Sequence, residues 1–139
     1  MALSVSCNRK VVTGQADHLE HEHFPAHWPS TIFAASDRLV ALKGHSGQWT
    51  NTEGVSVERE LVDLIRWLPE LTADSDLNES DFDRIDSWSS RLAPLLERKL
   101  NEGGEMESML AIDGIGDAIA ELQRIVQAES ERLAAIQGP

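Results

Sequence analysis

Apolar residues recur at spacings of three and four along most of the chain, the repeat of an α-helix with one buried face. The first such stretch holds Ile32, Ala35, Leu39 and Leu42. Pro29-Ser30 precede it and Gly44 follows, so a helix over about 30–43 is predicted, with Ser30 as its N-cap. The link from 45 to 55, with Gly47, Asn51 and Gly54, reads as loop. Val57, Leu61, Leu64, Leu68 and Leu71, widened by Ile65, predict a second helix over 56–71. Ser56 is its candidate cap, Glu58 and Glu60 complement its positive end, and Pro69 is expected to kink or close it.

The third start is the best marked. Asn78 can cap, Asp81 follows three residues later, and Leu77 and Phe82 flank them as a hydrophobic staple. Phe82, Ile85, Trp88 or Ser89, Leu92, Leu96 and Leu100 form the stripe of a helix over 79–101, with a kink expected near 90–94 from Pro94. Gly103-Gly104 ends it. The last segment, 105–137, carries Ile112, Ile115, Ile119, Leu122, Val126, Leu133 and Ile136, a seam interrupted only at Glu129. Gly114 and Gly116 each weaken a helix by roughly 1 kcal/mol relative to alanine, so a break or loosening is expected there.

None of these one-faced helices is stable alone in water, and their stripes have each other to bury against. The expected fold is all-α: a four-helix bundle-like single domain over 30–139, behind an extended or irregular N-terminal tail over 1–29. A length of 139 residues agrees with one domain. The helices are unequal, about 21 Å for the first and about 45 Å for an unbroken fourth at 1.5 Å per residue. An overhanging C-terminal part would expose Val126, Leu133 and Ile136, and exposed apolar seams mark partner sites.

Composition narrows the function classes. With 24 acidic residues against 12 basic ones the net charge is −12, which argues against a nucleic-acid surface. No stretch approaches the roughly 18 apolar residues of a membrane span. The single cysteine, Cys7, excludes an internal disulfide. At the N-terminus Arg9-Lys10 follow the short apolar run, where an export signal has its charge first. A cytoplasmic location is expected.

Candidate chemistry is sparse. His18, His21, His23 and His27 put four imidazoles in ten residues, a donor set suited to Zn2+ or another divalent transition metal, with Glu20 and Glu22 nearby. Pro25 argues against a shared helical face for His23 and His27, and a polar tail anchored by Phe24 and Trp28 explains the same residues. Asp74-Ser75-Asp76-Leu77-Asn78-Glu79 superficially resembles the opening of an EF-hand calcium loop. Glu79 stands where the turn needs glycine and Ile85 where it needs the bidentate glutamate, so helix capping explains the stretch better. Asp63, Asp86 and Glu97 are conceivable carboxylate partners across a bundle, but no nucleophile elbow, phosphate loop or Glu-x-x-His pair accompanies them. Trp67 and Trp88 read as core; Trp28 and Trp49 read as anchors or exposed contacts. No resident cofactor and no enzyme activity are expected. The leading expectation is an interaction or regulatory module that pairs its last helix with itself or another protein; the alternative is a metal-binding protein using the histidine tail.

Overall fold

A computed structural model describes residues 28–44 and 54–137. Among them the chain forms five helices: α1 (Ile32–Gly44), α2 (Val57–Ala73), α3 (Glu79–Asn101), α4 (Met106–Leu110) and α5 (Ile115–Ile136). Each long helix packs on its neighbour in the chain, and α5 closes the ring on α1; the short α4 rests on α2 and α3. The start of α1, the end of α2 and the last turns of α5 meet at one end. At the other end Lys43 Nζ approaches the Gly116 carbonyl at 3.5 Å. The long helices therefore alternate in direction, as short links require. The domain is all-α and bundle-like.

Local chemistry sets the starts. Ser56 Oγ accepts from Arg59 N at 3.1 Å and Asn78 Oδ1 from Asp81 N at 2.8 Å, each from extended N-cap backbone. The cap of α1 is Thr31 instead of Ser30: Thr31 Oγ1 accepts from Ala34 N at 3.1 Å, the i+3 donor that a capping hydroxyl reaches. The seam over 105–137 is two helices, not one. Gly114 has φ of +98°, outside the helical region, and the chain turns through residues 111–114 before α5 begins. A Cβ on Gly114 would lie 3.0 Å from the Arg91 guanidinium. This break brings Met106, Met109 and Ile115 into the core together and leaves Ile112 half-buried. It also shortens the final helix to 22 residues against 23 in α3, so most of the expected overhang disappears. Val126, expected on a free seam, lies in the core.

The prolines do not end their helices. Pro69 sits within α2, which continues to Ala73, and Pro94 sits within α3, which continues to Asn101. Proline lacks an N–H, so the carbonyls of Ile65 and Ser90, four residues earlier, lose their helical donors. Ser90 is exposed, where a carbonyl without a protein donor costs little. Ile65 is fully buried, and there the hydroxyl of Ser89, reaching across from α3, donates to the Ile65 carbonyl at 2.6 Å. Ser89 thus holds a stripe position that pattern alone would fill with an apolar residue.

Charged side chains cross the same interfaces. Glu60, 2% exposed, receives both Nε (2.6 Å) and a terminal nitrogen (2.8 Å) of Arg38 from α1. Arg59 and Arg66 of α2 both bond Glu97 of α3, at 2.7 Å and 2.9 Å in the shorter contacts. These bonds, that of Arg59 foremost, hold the Glu97 carboxyl below its ordinary value. Glu58 accepts from Met106 N at 3.2 Å and so serves the first turn of α4.

Ser89→Ala leaves the Ile65 carbonyl unpaired and is expected to lower the unfolding free energy by about 1–3 kcal/mol in urea titrations. In a Pro69→Ala background, where residue 69 again offers an N–H, the loss should shrink markedly. Equal losses in both backgrounds would sink this account.

Candidate functional site

α5 leaves the core gradually. Ile125 and Val126 are buried, Glu129 is 8% exposed, Leu133 is half-buried and Ile136 is 67% exposed. Glu129 takes a seam position at the edge of the core. Arg132, one turn on, lets it do so by donating from Nε at 3.0 Å and from a terminal nitrogen at 2.5 Å. Those bonds hold the Glu129 carboxyl below its ordinary value, against the opposing effect of burial.

Beside this turn an open pocket of about 190 Å³ lies between the start of α1, the turn from α2 to α3, and α5. Ile32, Phe33, Leu71 and Leu133 give it an apolar lining; Asp74, Asp76 and Glu129 add three carboxylates, and among the described residues no lysine or arginine lines it. Two of the hydroxyls there are engaged locally: Ser75 Oγ donates to the Thr72 carbonyl at 2.6 Å, and Thr31 Oγ1 caps α1. The Asp74 and Asp76 carboxylates are exposed and make no hydrogen bond or ion pair among the described residues, although Asp76 lies near enough to help raise the Arg132 pKa.

The other candidates separate clearly. His18, His21, His23 and His27 lie outside the described residues, as do Cys7, His45 and Trp49. Among the described residues no group of three or more histidine, cysteine or acidic side chains is arranged to hold a metal ion. The 74–85 stretch behaves as a turn and cap, with Asn78 bonded to Asp81 N and Ile85 wholly in the core. Asp63 and Glu97 do meet, but at a shared arginine: Arg59 lies 3.5 Å from Asp63 and 2.7 Å from Glu97. Asp86 stands apart and exposed. Trp28 stacks on Trp67 with ring centroids 4.5 Å apart, an anchor of the chain ahead of α1 onto α2. No described helix is long and apolar enough to cross a membrane. Comparison with protein-family models, with curated proteins and with solved structures matches the chain to none of them.

Of the three expected interaction residues, Leu133 lines the pocket, Ile136 stands beyond the core in the last turn of α5, and Val126 belongs to the interior. Phe33 carries no site signal in the sequence, and Asp74 and Asp76 stand out only within a calcium-loop-like stretch, because three distant segments build the pocket. The one sequence signal was the glutamate at position 129 in an otherwise apolar seam.

The Glu129 carboxyl titrates lower in the folded chain than in the unfolded one, where it returns to about its ordinary 4.5. Its bond to Arg132 therefore stabilises fully above that value and is lost as pH falls through the folded pKa. Glu129→Gln is expected to flatten the decline in urea midpoint between about pH 6 and about pH 3. An unchanged decline would remove this carboxylate from the acid response.

Proposed function

We propose that the protein is an interaction module of the cytoplasm, docking a partner protein on the pocket and the exposed last turn of α5. The observation that carries this reading is the apolar seam of α5 continuing past the core, with Leu133 open to the pocket and Ile136 67% exposed. Among the described residues only Leu95, at 37%, is another large apolar side chain so exposed. Pocket size supports a protein partner over a small molecule. Ligand sites usually measure about 300–1,000 Å³, whereas this pocket has room for one or two side chains.

Charge favours a different protein over a second copy. A two-fold contact places the same patch on both sides, so it would bring Asp74 and Asp76 toward their own counterparts between chains of net charge −12. The single cysteine supports a reducing compartment.

Ile136→Glu tests the reading. Because Ile136 is largely exposed, its urea midpoint should shift by no more than about 0.5 kcal/mol of stability. Affinity capture from native cytosol should recover at least about tenfold less of the protein retained by the wild-type chain. Light scattering should report a monomer for both. Retention of the same proteins at the same yield by the variant would overturn the proposal.

A further inference from the structure

We infer that the partner element seated at this end is a basic amphipathic segment, one apolar side chain entering between Phe33 and Leu133 while an adjacent lysine or arginine meets Asp74 and Asp76. The inference rests on the docking surface just proposed and specifies the chemistry of its occupant. Among the described residues the pocket lining supplies carboxylates and no cation, and the Arg132 guanidinium is committed to Glu129. A segment covering the apolar lining also strips water from Asp74 and Asp76. Burying unpaired carboxylates is costly, so an acidic or neutral segment is penalised where a basic one is rewarded.

Two backbone donors at the start of α1 are already engaged. The Ala34 N–H is taken by Thr31 Oγ1 and the Ala35 N–H by the Thr31 carbonyl, at 3.1 Å each. Ser75 Oγ already donates within its own turn. The surface thus disfavours an acidic helix by repulsion from its carboxylates. Size sets the division of labour, since the cavity admits an apolar side chain while the exposed aspartates stay at its margin.

The test uses the full chain and two synthetic peptides of about 15 residues, a length near four helical turns. Both carry leucines at helical three-four spacing; one has lysine and the other glutamate at the polar positions. Binding is read by fluorescence anisotropy at low and physiological salt. The lysine peptide should bind, more weakly as salt rises. Asp74→Asn with Asp76→Asn should weaken it about fivefold. Glu105→Gln with Glu107→Gln, which removes the same charge from the exposed far end, should change it less than about twofold.

Equal losses from the two double variants would overturn the inference, because attraction would then reflect net charge alone. Equal binding of both peptides, abolished by Leu133→Glu, would overturn the basic preference while leaving the docking surface standing. If neither peptide binds and Ile136→Glu captures as the wild type does, the docking surface itself falls, and the inference with it.

Discussion

The burial of α2 on nearly every side is the constraint around which the bundle is arranged. Glu60, Leu61, Val62, Asp63, Leu64 and Ile65 are buried in unbroken succession, so this helix needs neighbours around most of its circumference. A one-faced helix is served by one partner; α2 has α1, α3 and α4 against it, and Trp28 stacked on Trp67. Its polar groups then need partners from those neighbours, since a buried group left unpaired costs more than most contacts return. Arg38 meets Glu60 from α1, Ser89 meets the Ile65 carbonyl from α3, and Glu58 of α2 serves the Met106 N–H of α4.

These polar contacts do what apolar burial cannot. Leucine stripes pack against one another in several registers at similar cost, because the hydrophobic effect has no direction. A 2.6 Å bond from Ser89 to the one carbonyl that Pro69 deprives of its donor admits a single register between α2 and α3. Arg59 and Arg66 on Glu97 reinforce the same alignment from a more exposed position, where solvent weakens each pair.

The same alignment places the candidate site. Because α1 and α2 run in opposite directions, the first turn of α1 meets the turn that follows Ala73. Asp74 and Asp76 come to that end as parts of a helix exit, and Leu133 arrives from α5. The break at Gly114 decides how far α5 reaches: with the helix starting at Ile115, Val126 falls within the core and Ile136 beyond it. An apolar pocket with exposed aspartates at its margin follows from where helices of unequal length stop.

Much of the helical anatomy is legible in residue spacing alone. The stripes through Leu39, Leu61, Leu92 and Leu122 name core residues, and Ser56 and Asn78 name caps, because periodicity and capping act within a few residues of chain. Other features had no local signature. By position in the sequence Glu60 complements the dipole of α2, and it is a buried carboxylate paired with the half-exposed Arg38; Ser89 is an alternative to Trp88 in the stripe of α3, and it completes the hydrogen bonding of α2. Pro69 is expected to kink or close α2, and the helix continues past it to Ala73 while Ser89 of α3 supplies the Ile65 carbonyl with a donor. The sequence by itself therefore determined which segments are helical and which face of each is oily. The tertiary structure alone decided which polar groups are buried, where α5 leaves the core, and which carboxylates gather around a pocket, because those outcomes depend on contacts between residues tens of positions apart.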